Sequence, residues 1–480
     1  MFTTGCLTSP AYFNTAHLGP IVSVSPDRSF RLTEMARLQL TLITILSVSA
    51  VIKTQETTQV PDTEAEVEPT QTFFTGSGPL QGRKVTAGGR SHYEFLGIPF
   101  ARPPTGRLRF RDPLPVQPWQ EIFEASQDGP PCLQPDTGFE FGDLSNMSED
   151  CLTLNIFTTS PHHQNRPVMF WIHGGGFTSG SKDLYRMREL IEEEVVLVTT
   201  NYRLHALGFL SFGNSLVSGN MGLRDQQLAI RWVRENIAAV GGDPARITIF
   251  GESAGAMSVQ AQVLSPYNTG LLSGAIAQSG SILFLSLSEE KSALAPALNT
   301  AEALGCPPEL DLSTLECLQA RDIKADLGKI TDDTTSLLTE PTARARFEFY
   351  PVVDSFSSSP FLPVDPLVAL MTGQFLPVPF MSGTVKNEAA LNTLVIKSTN
   401  RTGQEILDVA EVTGTHQPYS IIGQDDLRLR RIATRYYNHT AGQSDRELEQ
   451  VVGGGLASHP LATVSCFTNH LQSLREGSLF

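Results

Sequence analysis

Three near-continuous apolar runs constrain this chain more than any other feature: VMFWI (Val168–Ile172), VVLVTT (Val195–Thr200) and ITIF (Ile247–Phe250). A strand with one wet face alternates apolar and polar residues. A run without alternation is a strand buried on both faces, the condition of a parallel sheet. Helical patterns separate the runs. Leu184, Met187, Leu190 and Ile191 recur at helical spacing. Within Gln227–Val240, residues Leu228, Ala229, Trp232, Val233 and Ile237 share one face, with Arg231, Arg234 and Glu235 opposite. GGDPAR (241–246) reads as a loop, and GAIAQSG (274–280) as one more strand. YPVVD (350–354) and VPFMSGT (378–384) are shorter strand candidates. Such alternation predicts an α/β fold with a doubly wound, mostly parallel sheet flanked by helices. Its reactive groups belong on loops at the C-terminal ends of the strands. Residues 286–347, richer in helical patterns and loops, read as insertions that cover the sheet edge and shape a pocket. Val464, Phe467, Leu471 and Leu474 predict a late helix.

The third run ends in a tight turn, Gly251-Glu252-Ser253-Ala254-Gly255, followed by small residues in helical context. Gly-x-Ser-x-Gly between strand and helix holds a serine exposed above a sheet. The glycines leave room for the neighbouring strand and helix, and the next N–H, that of Ala254, points where an oxyanion would form. The helix N-terminus adds its positive dipole end. The motif alone is weak; its strand and helix give it weight. After the first run comes Gly174-Gly175-Gly176, whose backbone N–H groups could converge on one point, as an oxyanion hole requires, or could simply form a flexible turn. A serine hydroxyl is a poor nucleophile at neutral pH and needs a base to take its proton.

The net charge of −15 argues against a nucleic-acid partner, whose binding rests on clustered Lys and Arg. The one short basic cluster, Leu427–Arg435, fits a solvated helix face. From Met35 the chain carries a short basic stretch, an apolar run and small residues at Val48 and Ala50, the pattern of a secretory signal peptide over 35–50. The expected protein is secreted, with a membrane anchor as the alternative if the apolar segment 38–52 stays uncleaved. Residues 1–34 read as an unpatterned extension or a mis-called start, 51–71 as a flexible segment and 72–480 as the folded domain.

Cysteine usage agrees with secretion. Cys132 and Cys151 lie 19 positions apart, and Cys306 and Cys317 lie 11 apart. Each pair could close a local loop worth about 3 kcal/mol, or the four could be buried thiols. Cys6 would leave with the extension, and Cys466 has no partner by this reading. Asn146, Asn400 and Asn438 head proline-free Asn-x-Ser/Thr sequons, candidates for glycosylated surface loops.

Longer matches make a resemblance specific. GIPFARPPTGRLRF (97–110), SEDCLTLNIF (148–157), HGGGF (173–177), NYRL, GNMGLRDQQLAIRWVRENIAAVGGDP and GESAGA are similar to the type-B carboxylesterase and cholinesterase family of α/β-hydrolases, from about Gly82 to the end. The resemblance implies an α/β-hydrolase fold and a serine carboxylic ester hydrolase. Ser253 would be the nucleophile, and Gly175, Gly176 and Ala254 would donate the oxyanion-hole N–H groups. Glu388, in GTVKNE, would be the triad acid. Cys132 would pair with Cys151, and Cys306 with Cys317. The substrate would be a small-molecule ester, with no metal or other cofactor. Cholinesterases stack choline on a tryptophan in the first disulfide loop. The loop between Cys132 and Cys151 holds none, which argues against acetylcholine.

The triad base is where the pattern departs. His416, His439, His459 and His470 follow Glu388, and none has the family's context. The expectation is that the family's last strands and its histidine lie beyond Phe480, and that the chain as it stands turns esters over slowly. The competing reading is an esterase-like binding or adhesion protein, or an inactive isoform. His205 stands where the family usually has a small residue and reads as a packed or hydrogen-bonded histidine.

Overall fold

The computed structural model describes residues 66–136, 143–162, 165–283, 290–331 and 347–385. Several sequence expectations fall outside them: the segment 35–50, Cys6, Cys466, Glu388, the four late histidines, Asn400, Asn438, the basic cluster and the late helix. The chain divides into two compact units. One is Met1–Glu66 with Thr86–Arg90. Its described residues are Glu66 and a glycine turn, in which Gly88 and Gly89 take left-handed φ of 58° and 77°. The other is Val67–Val85 with Ser91–Phe480.

The strands are β1 (Glu66–Pro69), β2 (Phe73–Phe74), β3 (Pro79–Gln81), β4 (Arg83–Ala87), β5 (Arg90–Pro99), β6 (Phe123–Glu124), β7 (Thr153–Thr158), β8 (Arg166–Ile172), β9 (Val196–Thr200), β10 (Gly242–Glu252), β11 (Gly274–Gln278) and β12 (Phe380–Gly383). The helices are α1 (Arg188–Glu192), α2 (His205–Phe209), α3 (Met221–Asn236), α4 (Ala254–Leu264), α5 (Glu290–Ala303), α6 (Leu312–Ala320), α7 (Ile323–Asp326) and α8 (Pro366–Thr372). Among the described residues nine strands form one sheet in the order β1-β4-β5-β7-β9-β8-β10-β11-β12. Pairing is parallel from β9 through β8, β10 and β11 to β12, and antiparallel at β5–β7 and β7–β9. β2, β3 and β6 make a small second sheet. β1 lies inside the segment 51–71 read as flexible, and all four of its residues are exposed.

Burial sorts each apolar run onto two faces. Val168, Phe170 and Ile172, with Val196, Val198, Ile247 and Ile249, join the large core beneath α3 and α4. Their neighbours Trp171, Leu197 and Phe250 form a separate cluster on the opposite face, covered by Ile191 of α1. Helix α3 ends through a 3-10 turn (Ile237–Val240) and Gly241, whose φ of 91° stops the helix. Both cysteine pairs are bridged, Cys132–Cys151 and Cys306–Cys317.

Three local expectations are corrected. The 184–191 pattern is not one helix: Leu184 ends a 3-10 turn (Lys182–Leu184) and only Arg188–Glu192 is α-helical, because Met187 between them sits at φ 33° and ψ 54°. GGDPAR is not a loop from Gly242 onward. Gly242 pairs with Arg166, and a register shift carries β10 to Ile247. YPVVD is no strand. Val352 instead exchanges hydrogen bonds with the Asn220 side chain, donating its N–H to Oδ1 (2.9 Å) and accepting from Nδ2 at its carbonyl (2.8 Å).

Candidate active site

β10 and β8 are adjacent and parallel, so the turns that leave their C-terminal ends lie side by side. The turn after β10 is Ser253, at φ 57° and ψ −120°, with α4 beginning at the next residue. A non-glycine residue in this region is strained, and the surroundings hold it there. The Ser253 N–H donates to the Gln278 carbonyl of β11 (2.9 Å), and its own carbonyl accepts from Met257 N–H (3.0 Å). Small residues let α4 press onto the sheet. A Cβ placed on Gly255 would stand 2.1 Å from the Ile172 carbonyl oxygen, so only glycine fits. The serine itself is half-buried, and Ala254 behind it is buried.

The turn after β8 is the glycine loop. A Cβ on Gly174 would lie 3.3 Å from Ser253 Cβ and 2.8 Å from a Glu252 carboxylate oxygen, so the loop packs directly on the serine turn. Gly175 has φ 107° and Gly176 φ 63°. The Gly175 carbonyl is turned inward, where it accepts from Thr178 N–H (3.0 Å) and Ser179 N–H (2.9 Å). Gly175 is half-buried and Gly176 exposed. Ser253, Gly175, Gly176 and Ala254 therefore lie on two adjacent turns at one end of the sheet, as the alternation of runs predicts.

Two buried histidines flank the loop. His173 stacks on Tyr202 (4.4 Å), whose hydroxyl donates to the His173 carbonyl (2.9 Å). Burial, with the nearby Lys182 charge, pushes the His173 pKa down to about 4, although its contact with the Gly174 carbonyl works the other way. His205 takes φ 53° and donates its backbone N–H to the Phe177 carbonyl (2.7 Å). Its ring stands edge-on to Phe349 (4.7 Å), and its Nδ1 has no hydrogen-bond partner among the described residues. Burial pushes its pKa down to about 3. Of the two alternatives for His205, the packed one is what is seen. Both rings are neutral near pH 7.

The sequence reasoning missed two carboxamides that hold the end of the glycine loop, Gln134 and Asn201. Gln134 accepts from Gly180 N–H (2.8 Å), and Asn201 accepts from Lys182 N–H (3.0 Å). Their signal was faint: one stands two residues after Cys132, the other opens NYRL. Among the described residues no group of three or more His, Cys, Asp or Glu is placed to hold a metal ion.

A model of the carboxylesterase family matches residues 69–470, most of the chain. The chain belongs to the carboxylesterase family. It is 38% identical to a carboxylic ester hydrolase of Bombus ignitus over 65% of this chain and 56% of that protein. It is 39% identical to an acetylcholinesterase of Electrophorus electricus, over 68% and 52% respectively, and 39% identical to a juvenile hormone esterase of Tribolium castaneum, over 66% and 55%. The chain thus spans about half the length of the curated relatives it matches. As a carboxylesterase-family chain it has the α/β-hydrolase fold, and its mixed sheet with flanking helices is that fold.

Proposed function

We propose that this carboxylesterase-family protein is a serine hydrolase of small-molecule carboxylic esters, working through an acyl-enzyme on Ser253. The Ser253 hydroxyl attacks the ester carbonyl, and its proton passes by way of a general base to the departing alcohol. The N–H groups of Gly175, Gly176 and Ala254 stabilise the oxyanion of the tetrahedral intermediate. The alcohol leaves, and water then hydrolyses the acyl-serine. Glu388 is the proposed acid that orients the base. The observation that carries the reading is the strained Ser253 turn at the head of α4 with Gly174 packed against it. Backbone strain of this kind clusters at active sites, and here the strained residue carries a hydroxyl with the glycine loop packed against it. The hydrolytic names of the three relatives support the same class. Acetylcholine is not the proposed ester, because the Cys132–Cys151 loop carries no tryptophan.

Secretion goes with this reading. Two disulfides suit an oxidising compartment, and Asn146 is exposed and open to glycosylation, with Asn400 and Asn438 as further candidates. Among the described residues no helix is long and apolar enough to cross a membrane.

The test is covalent. An alkyl fluorophosphonate should attach to Ser253, located by peptide mass, and p-nitrophenyl ester turnover should fall in step. An unlabelled Ser253, or turnover that Ser253→Ala leaves intact, overturns the proposal.

A further inference from the structure

The glycine loop is anchored differently at its two ends. Its entry is fixed by the sheet, since Ile172 pairs with Thr200 on one side and Gly251 on the other. Its exit, Gly180 to Lys182, belongs to no strand ladder among the described residues. There the two buried carboxamides take over. Gln134 is fully buried and makes three hydrogen bonds. Its Oε1 accepts from Gly180 N–H (2.8 Å), and its Nε2 donates to the carbonyls of Gly180 (3.0 Å) and Cys132 (3.0 Å). Asn201, 1% exposed, repeats the arrangement. Its Oδ1 accepts from Lys182 N–H (3.0 Å), and its Nδ2 donates to the carbonyls of Pro130 (3.1 Å) and Cys151 (3.2 Å). Each carboxamide therefore grips the loop exit with one end and one half of the Cys132–Cys151 disulfide with the other.

Three consecutive glycines lose more conformational freedom on ordering than any other sequence would. Oxyanion-hole donors help only if they are aimed before charge develops. A misplacement of about 1 Å costs of order 100-fold in rate. Building on the ester-hydrolase reading above, we propose that Gln134 and Asn201 are positioning residues that transmit the rigidity of the Cys132–Cys151 bridge to the oxyanion loop. This disulfide then serves turnover as well as stability. Cys306–Cys317, with no such link to the loop among the described residues, serves stability alone.

The substitution Gln134→Met keeps the side-chain length and removes every hydrogen bond. It should lower kcat about 10- to 100-fold while KM stays within about twofold, and raise amide hydrogen exchange in the peptide covering 173–181. The losses from Gln134→Met and from Cys132→Ala/Cys151→Ala should not multiply when combined, because both cut one linkage. Cys306→Ala/Cys317→Ala should lower the melting temperature and leave kcat unchanged. Gln134→Asn, one methylene short, takes the same measurements if the Met variant does not fold. Wild-type kcat and wild-type exchange in the variant that folds, or losses that multiply with the cysteine pair, overturn the proposal. If the wild-type protein turns over no ester and Ser253 takes no fluorophosphonate, the ester-hydrolase reading fails by itself. The exchange measurement then still decides the brace: raised exchange upholds it, and unchanged exchange sinks it.

Discussion

Ser253 earns its place through backbone geometry before any chemistry. Its φ of 57° lifts the side chain clear of β10, and the loop glycines pack close enough to share its surroundings. Ser253→Ala should leave the fold intact and lower ester kcat by about 10³-fold or more, read from p-nitrophenyl acetate hydrolysis. The two neutral histidines set a pH limit. Each has a folded pKa below the ordinary 6.5, about 4 for His173 and about 3 for His205, in both cases chiefly through burial. The unfolded chain therefore takes up protons first as pH falls. Stability is complete above about pH 6.5 and drains at roughly 1.4 kcal/mol per pH unit per histidine down to those values. Thermal melts between pH 7.5 and 4.5 should show this slope, and His205→Gln should flatten it.

At the scale of elements, the fold depends on close approaches that tolerate no substitution. Gly255→Ala would drive a methyl into the Ile172 carbonyl and push α4 off the sheet, a loss of about 3 kcal/mol in urea unfolding. The end of β9 is tied to α3 by Arg203 and Asp225, both buried, with Nε and Nη2 on the two carboxylate oxygens at 2.8 and 2.7 Å. Asp225→Asn leaves the guanidinium buried without its counter-charge and should cost about 3–5 kcal/mol in the same assay. These elements differ in how readable they were. β8, β9 and the end of β10 announced themselves because burial on both faces makes their residues apolar without a break. Helix α3 was legible from the period of Leu228, Trp232 and Val233. Gly242–Arg246 was not, because its pairing with the β8 side is interrupted by a register shift that leaves no pattern. Val352 looked like a strand residue because a polar partner, Asn220, stood in for a neighbouring strand. The elbow and the glycine loop could be found from spacing, since a tight turn demands glycine locally. Gln134 could not, since its hydrogen bonds reach 46 residues to Gly180 and impose nothing on its sequence neighbours.

For the whole molecule, the two disulfides act on separate parts of the chain, one beside the glycine loop and one joining the turn after α5 to α6. Removing either should lower stability by about 3 kcal/mol, measured by denaturant midpoint, by relaxing a closed loop of the unfolded chain. The adjacency of β8 and β10 has a kinetic consequence. Gly176 and Ser253 are 77 positions apart in sequence and meet only when two parallel strands align across a crossover that includes β9 and α3. Parallel pairing of this kind closes late in folding, because its loop-closure entropy is spent before its contacts form. Labelling of Ser253 is then a clock for assembly. During refolding, competence to take up a fluorophosphonate should return with burial of the central strands and lag behind the far-ultraviolet helix signal.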